Sequence, residues 1–336
     1  MKRFIVAAAG LLLTTTVAGA QEVTLRLHHF MGEKAPLHGK MMLPLAAALE
    51  EASEGRMKIE VFAGMSLGGR PGDLYDQAAD GAVDIIVTLP GYTAGRFNRS
   101  EVFELPFMMK DPVATAEAYY DLISEELQDG EFEETKILTS WVHGPGVLHS
   151  KEPISRLEDM VGQEVRGPTR VVTDLLGELG ATPVGMPLPL IPENLSKGVI
   201  SGTVLPWEVT PSIRLAELVS NHTELAGDTS LYTAVFIMAM NWDSYEGLPD
   251  DLRQILDDHT GKGLAAQTAQ VMVDADAGGR NVASANNFIT LDEGEVERWK
   301  TAAQPVVARW ITRAGEMGFD GEAAIAQARA LIDANL

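Results

Sequence analysis

Residues 57–88 have the sequence MKIEVFAGMSLGGRPGDLYDQAADGAVDIIVT, and their pattern decides the fold class. Apolar and polar residues alternate over Met57–Phe62, as in a strand, and the largely apolar run Val83–Thr88 predicts a second strand. Between them, Gly72–Ala79 has the composition of a short helix that stops at Gly81. Strands that alternate with helices in this way favour an α/β fold with a mostly parallel sheet.

The same alternation extends in both directions from this stretch. Before it, Val23–Leu27 is a predicted strand and Leu37–Ala52 a predicted helix. After it, we predict strands over 136–142, 165–166, 183–184, 201–205 and 232–240, and helices over 111–128, 169–179, 192–197, a region from 249 past 281, 293–315 and 321–336. No low-complexity linker separates the two α/β cycles, so we expect two lobes that are joined by ordered strands.

The composition excludes several classes of function. The 336 residues include 26 Lys and Arg against 48 Asp and Glu, which gives a formal net charge of −22. Nucleic-acid phosphates and anionic membranes attract basic surfaces, so we expect this acidic chain to bind neither. Because the sequence has no cysteine, it has no disulfide, thiol nucleophile or iron–sulfur cluster, and its 7 histidines make a multi-metal site an unfavourable hypothesis.

The first 20 residues have the pattern of a secretory signal peptide rather than of a buried helix. Lys2 and Arg3 give a basic start, the apolar run 4–13 follows, and Ala18-Gly19-Ala20 matches an Ala-x-Ala cleavage site. The apolar run is shorter than the ~20 residues that a membrane-spanning helix needs. We therefore predict cleavage after Ala20 and a periplasmic location.

Catalytic and cofactor motifs are weak in this sequence. Residues 64–68 (GMSLG) match the G-x-S-x-G nucleophile elbow with Ser66 as the nucleophile, so an exported serine hydrolase is an alternative function. Only two predicted strands precede this motif and no HGGG-type oxyanion loop occurs, which favours a glycine-rich turn. No dinucleotide-binding, P-loop or H-E-x-x-H motif is present, and we expect no enzyme activity, no cofactor and no bound metal.

Arg166 is the binding candidate that the pattern itself singles out. It ends a predicted strand and precedes Gly167-Pro168-Thr169 and a predicted helix. Ligands of open α/β sheets bind beyond the carboxyl ends of the strands. A guanidinium group offers two parallel hydrogen bonds to a carboxylate and keeps its charge. From the pattern alone, Arg166 either binds an acidic ligand or forms a salt bridge between lobes.

Several sequence blocks occur in an order that resembles a known transporter family. They are VTLRLHH (23–29), EEASEGRMKIEVFAGMSLGG (50–69), DGAVDIIV (80–87), FELPFMM (103–109), VGQEVRGPTR (161–170) and VISGTVLPW (199–207). Together with the signal peptide, they resemble the extracytoplasmic solute-binding subunits of tripartite ATP-independent periplasmic (TRAP) transporters. The resemblance covers nearly the whole mature chain.

The resemblance implies an α/β, two-lobed periplasmic binding protein with mixed sheets, hinge strands and a long helix that spans both lobes. It implies that lobe I comprises residues 21–142 and 232–271, and lobe II residues 143–231 and 272–336. Such a protein closes on a small organic acid and delivers it to a membrane permease. In the family, an arginine in the segment that matches 165–168 forms a bidentate bridge to the substrate carboxylate, so the resemblance assigns this role to Arg166.

The chain departs from sialic-acid-type members of the family at two positions. Those members have a second arginine in the segment that matches Gly144-Pro145-Gly146-Val147, and an amide side chain where Leu205 stands here. Both differences remove polar contacts. We therefore favour a monocarboxylate with an aromatic or apolar body, such as a benzoate-like acid, and keep a sugar acid as the alternative ligand.

The remaining pocket candidates are aromatic, polar or apolar side chains near the expected cleft. They are Phe30, Tyr92, His149, Thr169, Leu205, Trp207, Glu208 and Phe236, with Thr88, Trp141 and Met238 nearby. Trp207 and Phe236 offer flat surfaces for an aromatic ring. Glu208 alone is a poor cation site, so we expect binding to survive a chelator. We expect a monomer that serves permease subunits, with a sensor or scavenging protein as a further alternative.

Overall fold

The computed structural model describes residues 21–227 and 229–336. The predicted signal peptide and its cleavage site lie outside the described residues. The strands are β1 Val23–His29, β2 Met57–Phe62, β3 Ile85–Thr88, β4 Thr135–Val142, β5 Val147–Ser150, β6 Glu164–Gly167, β7 Thr182–Gly185, β8 Gly202–Leu205, β9 Asn221–Leu225, β10 Val235–Asn241 and β11 Asn287–Leu291.

The α-helices are α1 Leu43–Ala52, α2 Leu74–Ala79, α3 Pro112–Leu122, α4 Arg170–Glu178, α5 Ile191–Lys197, α6 Trp242–Glu246, α7 Asp250–Asp258, α8 Gly261–Val282, α9 Glu293–Glu316 and α10 Gly321–Ala334. Segments His38–Met42 and Ile123–Leu127 are π-helical. Short 3₁₀ turns cover Pro71–Asp73, Pro90–Tyr92, Ser100–Glu104, Leu157–Met160, Leu188–Leu190, Trp207–Ile213 and Leu215–Glu217.

The first sheet has the strand order β2-β1-β3-β10-β4. Strands β1, β2 and β3 are parallel, as the alternation of strands and helices predicts. Strand β10 lies antiparallel between β3 and β4, so the sheet is mixed rather than mostly parallel. Ile85, Ile86 and Val87 of β3 are fully buried, because helices cover both faces of this part of the sheet.

The second sheet has the order β11-β9-β5-β8-β6-β7. Strand β6 pairs in parallel with β7 and β8, whereas β5 pairs antiparallel with β8 and β9. The sequence pattern predicts β6, β7 and β8, but not β5, β9 and β11. The described chain is therefore α/β with two mixed sheets.

Helix α8 connects the two halves of the molecule. It packs against α3 and β4 on the side of the first sheet, and against the 207–213 turn on the side of the second. The predicted helical region that starts at 249 is divided into α7 and α8, because Gly261 adopts a φ of +76° at the junction. The long helix that spans both lobes is thus the part after Gly261.

The strands of the first sheet fall within residues 21–142 and 232–271, and those of the second within 143–231 and 272–336. Helix α10 packs against α3, which lies in the first of these groups. The exact division of the chain into lobes stays a prediction, and α10 is its weakest part. Over the described residues, no helix has both the length and the apolar character that crossing a membrane requires.

Candidate ligand-binding site

A cavity lies between the two sheets. Its lining is mostly apolar and comes from both halves of the molecule. From the first half come Phe30, Met31, Leu89, Tyr92, Tyr232, Ala234 and Phe236; from the second come His143, Arg166, Pro168, Leu188, Leu205, Pro206, Glu208 and Val209. A mostly apolar lining with a few polar groups is typical of a site for a small organic molecule.

Strand ends place the main side chains of this cavity. Phe30 directly follows β1, and Tyr92 lies in the 3₁₀ turn beyond β3. Arg166 lies near the carboxyl end of β6, and Leu205 is the last residue of β8. The site is therefore at the carboxyl ends of parallel strands, where α/β sheets bind their ligands.

Arg166 is a buried cation at the centre of the lining. Its side chain is only 1 % exposed. Its Nε donates to the carbonyl of Met186 at 2.8 Å and its Nη1 to the carbonyl of Val204 at 3.3 Å. It forms no salt bridge with any residue that the structure describes. Burial lowers the pKa of Arg166, but an arginine keeps its charge in proteins, so the guanidinium lacks a counter-ion.

Tyr92 links the two sides of the cavity. Its ring meets that of Phe30 edge-on with the centroids 5.2 Å apart, and its hydroxyl accepts a hydrogen bond from the Leu188 backbone N–H at 3.1 Å. The same hydroxyl lies beside the Arg166 guanidinium. The two lobes are thus in contact at the mouth of the site.

His143 is a neutral, fixed part of the lining. Its Nδ1 lies 2.5 Å from the Gly144 carbonyl and can only donate to it, whereas its Nε2 accepts from the Ala234 N–H at 3.0 Å. Burial and the nearby Arg166 lower the pKa of His143 to about 4. Both ring nitrogens are in use, so His143 offers a ligand only its ring surface.

Tyr232 is a site residue that the sequence does not reveal. Its hydroxyl is buried and has no hydrogen-bond partner among the described residues, and its ring packs edge-on against His143 at 5.2 Å. A Cβ atom on Gly146 would lie 2.0 Å from Tyr232 Cε1. The ring thus occupies the space beside the segment where sialic-acid-type members have their second arginine. Because Tyr232 falls in the apolar pattern 232–240, it is predicted only as a strand residue.

We expect Tyr232→Phe to weaken carboxylate binding about fivefold to tenfold, because we expect the Tyr232 phenol to donate a hydrogen bond to the ligand carboxylate beside Arg166. The ligand-free protein is expected to keep its stability, since the hydroxyl has no partner to lose. Isothermal titration with benzoate measures the effect. Tyr119→Phe is the matched control, because the Tyr119 hydroxyl is also buried without a partner but lies in the core. Equal losses in both variants would contradict this role.

The structure brings six of the predicted site residues to the cavity and leaves three outside its lining. Those at the cavity are Phe30, Tyr92, Arg166, Leu205, Glu208 and Phe236; those outside are His149, Thr169 and Trp207. Trp141 is fully buried behind Phe236, with the two rings stacked 5.5 Å apart. None of these placements tests ligand contact itself, which stays a prediction for each residue.

Trp207 and His149 form a separate cluster in the second half. The Trp207 ring packs against Phe288 at 5.6 Å, and its Nε1 donates to Glu224 at 2.8 Å. His149 Nδ1 lies 2.7 Å from His222 Nδ1, and its Nε2 donates to the Leu205 carbonyl at 3.1 Å. Burial lowers the pKa of His149 to about 3. Both side chains hydrogen-bond within the lobe and lie outside the cavity lining, and ligand contact stays a prediction for each of them.

The sequence model of the family described as "Bacterial extracellular solute-binding protein, family 7" matches residues 27–313. The chain belongs to this family. Its solved relatives include a TRAP solute-binding protein from Rhodoferax ferrireducens T118 in complex with copurified benzoate. That chain is 45 % identical, with 93 % of this chain and 98 % of the relative covered and a TM-score of 0.91.

Two further relatives also have aromatic acids bound. A marine metagenome TRAP solute-binding protein in complex with 3-hydroxybenzoate is 38 % identical over 94 % of this chain and 99 % of the relative, with a TM-score of 0.91. A Bordetella bronchiseptica protein with bound mandelate is 25 % identical over 93 % and 99 %, with a TM-score of 0.84. The resemblance to TRAP solute-binding proteins and the two-lobed α/β fold are thereby confirmed.

Thr169 lies at the contact between lobes rather than in the lining of this TRAP solute-binding protein. A Cβ atom on Gly91 would lie 2.4 Å from Thr169 Cγ2, so the two lobes touch closely here. Behind this contact, Glu104 is buried, and its Oε1 accepts from the Val235 N–H at 3.2 Å. Burial raises the pKa of Glu104 to about 8.

We expect the free energy of unfolding to fall as the pH rises from 6.5 to 8. The Glu104 carboxyl stays protonated in the folded state, with a pKa of about 8, whereas in the unfolded chain it ionises near 4.5. The contribution of Glu104 to the free energy of unfolding is full below pH 4.5. It is lost as the pH rises through 8, at roughly 1 kcal/mol per pH unit. Asp276, whose pKa burial raises to about 7, acts in the same direction. Urea unfolding at several pH values should show that the free energy of unfolding depends less on pH in Glu104→Gln than in the wild type. An unchanged pH dependence would contradict this assignment.

The hydrolase alternative finds no support in the geometry. Ser66 is exposed in the turn after β2, where Gly64, Met65 and Gly68 have positive φ values. Among the described residues, no histidine hydrogen-bonds its hydroxyl. The glycines thus serve a tight turn, as the structural interpretation of GMSLG predicts. The described residues also contain no cluster of three or more His, Asp or Glu side chains that could hold a metal ion.

Proposed function

We propose that this chain binds an aromatic or apolar monocarboxylate between its lobes and delivers it to the permease of a TRAP transporter. The observation that carries the proposal is the charge of Arg166, which is buried in a largely apolar cavity and forms no ion pair with a described residue. A buried charge without a partner is costly, and a ligand carboxylate would supply that partner. The planar guanidinium favours a carboxylate over other anions of similar size.

The aromatic lining supports a ring as the body of the ligand. Phe30, Tyr92, Tyr232 and Phe236 contribute four rings from the first lobe, although Trp207 contributes none. Aromatic rings favour edge-on or offset contacts with another ring. The relatives at 45 % and 38 % identity have benzoate and 3-hydroxybenzoate bound, which supports the same class of ligand here.

A ligand screen tests the proposal directly. Purified mature protein is heated with benzoate, 3-hydroxybenzoate, mandelate or galacturonate, and the hits are titrated by calorimetry. A ligand at 100 times its dissociation constant stabilises the folded state by ~2.7 kcal/mol, which gives a measurable rise in melting temperature. Stabilisation by galacturonate and not by the aromatic acids would favour the sugar-acid alternative. The proposal also requires that the bound acid is recovered unchanged, since we propose no catalysis.

The remaining parts of the proposal concern location and assembly. Cleavage after Ala20 would leave 336 − 20 = 316 residues in the periplasm, which the mass of the exported protein would check. We propose that the protein acts as a monomer, with lobes at 21–142 plus 232–271 and at 143–231 plus 272–336. We also propose that no cation bridges the carboxylate, so affinity should be the same with and without EDTA.

Arg170 and Glu101 support closure of the lobes around the ligand. Arg170 begins α4 in the second lobe, and its Nε and Nη2 donate to the two carboxylate oxygens of Glu101 at 3.0 and 2.9 Å. Its Nη2 also donates to Asn98 Oδ1 at 2.7 Å. Glu101 and Asn98 lie in the first lobe, and Glu101 is only 6 % exposed. This two-pronged salt bridge spans the lobes and must break when they separate.

We expect Arg170→Ala to lower ligand affinity about threefold to tenfold by favouring the open state. Small-angle scattering should give a smaller radius of gyration for the wild type at ligand saturation than without ligand, and a more open ligand-free ensemble for the variant. Arg156→Ala is the matched control, since Arg156 pairs with Asp159 within one lobe. Identical scattering profiles with and without saturating ligand would contradict closure.

A further inference from the structure

Glu208 brings a carboxyl group into the ligand cavity that Arg166 also lines. The residue is 5 % exposed and lines the cavity with Arg166. The two side chains form no salt bridge. Within the described part of the chain, the carboxyl group of Glu208 has no hydrogen-bond donor and no cation. Among the described residues, the cavity thus holds a guanidinium without a counter-ion and a carboxyl group without a hydrogen-bond partner.

The neighbours of the two groups differ. The Arg166 guanidinium lies beside the hydroxyls of Tyr92 and Tyr232. Glu208 instead lies beside Asp276 of α8, whose Oδ1 accepts the Glu208 backbone N–H at 2.8 Å. One part of the cavity is therefore suited to an anion and another part is acidic. A ligand that fits both has a carboxylate and, away from it, a hydrogen-bond donor.

The acidic part favours an uncharged donor over an ammonium group. Burial and the negative charge of Asp276 raise the pKa of the Glu208 carboxyl well above its ordinary value, which favours its neutral form. A neutral carboxyl offers one donor and one acceptor, which matches a hydroxyl group. His143 does not compete for it, because both ring nitrogens are engaged, and the Tyr92 and Tyr232 hydroxyls lie beside Arg166 rather than beside Asp276.

We infer that Glu208 selects aromatic acids that carry a ring hydroxyl, by hydrogen-bonding that hydroxyl while Arg166 holds the carboxylate. The inference rests on the proposed function and deepens it, since it names the hydroxylated members of the ligand class as the preferred ones. An unsubstituted ring leaves the buried carboxyl of Glu208 without a partner, and an unpaired buried polar group opposes binding. A hydroxyl removes that penalty and gains a hydrogen bond.

Calorimetric titration of three ligands tests the inference. The wild type should bind the better of 3- and 4-hydroxybenzoate about tenfold more tightly than benzoate, and the matching methoxybenzoate no more tightly than benzoate. The dissociation constant for benzoate divided by that for the better hydroxybenzoate should fall to about one in Glu208→Met. It should stay near ten in Glu208→Gln, whose amide still has a donor and an acceptor. Asp274→Asn, on the exposed face of α8, is the control with the ratio of the wild type.

The results of these titrations distinguish a failure of the Glu208 role from a failure of the proposed function. If benzoate binds as tightly as both hydroxybenzoates, or if Glu208→Met keeps the tenfold ratio, the role of Glu208 is overturned while carboxylate binding stands. If 3-(aminomethyl)benzoate binds more tightly than the hydroxybenzoates, Glu208 is ionised and the inference is overturned. If the wild type binds none of these acids, the proposed function and this inference both fail.

Discussion

Arg166→Lys is expected to weaken aromatic-carboxylate binding at least about 100-fold. Lysine keeps the positive charge, but an ammonium group cannot form the two parallel hydrogen bonds that a guanidinium forms with a carboxylate. It also cannot reach the carbonyls of Met186 and Val204 with the same geometry, and these carbonyls hold Arg166 in place. Two hydrogen bonds to a charged group contribute about 1.5–3 kcal/mol each, and their loss corresponds to this loss of affinity.

Arg166→Met separates the binding role from a structural one. In the ligand-free protein, the buried guanidinium has no counter-ion among the described residues, so its replacement by an apolar chain of similar length should preserve the free energy of unfolding. Carboxylate binding should be lost. Arg280→Lys is the control, because Arg280 is half-exposed and pairs with Glu224 outside the cavity. A Met variant that unfolds much more easily and still binds benzoate would make Arg166 a structural residue.

The fold is predictable wherever burial leaves a simple pattern. Strands β1 to β3 follow from alternation or from an apolar run, and the parallel pairing follows from the helices between them. Strand β9 (NHTEL) is not predicted from the sequence, because its polar residues form hydrogen bonds inside the protein. Asn221 donates to the Lys151 carbonyl, Thr223 to the Ile154 carbonyl, and His222 faces His149. Such partners are distant in sequence, so no local pattern marks these positions as buried.

The site is predictable only where chemistry and position coincide. Arg166 is such a case, because a cation at a strand end in an acidic chain points to an anionic partner. Trp207 and Glu208 are adjacent, but the 3₁₀ turn after β8 directs Glu208 to the cavity and Trp207 to the cluster with Phe288. Side-chain direction within such a turn depends on tertiary packing. Tyr232 enters the site from the irregular segment just before β10, and only the three-dimensional fold reveals it.

Gly279→Ala is expected to destabilise the protein by about 2–3 kcal/mol, because α8 approaches the chain at Trp207 too closely for a side chain. A Cβ atom on Gly279 would lie 2.0 Å from the Trp207 carbonyl oxygen and 2.6 Å from its carbonyl carbon. Both are backbone atoms, so no side-chain rotation relieves the overlap. The turn that carries Glu208 must move away from α8, and we expect a loss of ligand affinity together with the loss of stability.

The preceding residue supplies a matched control within the same helix. Gly278 is exposed, and a Cβ atom there would meet no atom within 4 Å. Gly278→Ala should therefore stabilise the protein by about 1 kcal/mol, since alanine favours a helix over glycine. In urea unfolding, the two variants should change the free energy of unfolding in opposite directions if the approach of α8 to Trp207 sets the position of Glu208. If Gly279→Ala is as stable as Gly278→Ala and binds the ligand with wild-type affinity, the two segments are not in tight contact and α8 does not hold this part of the site.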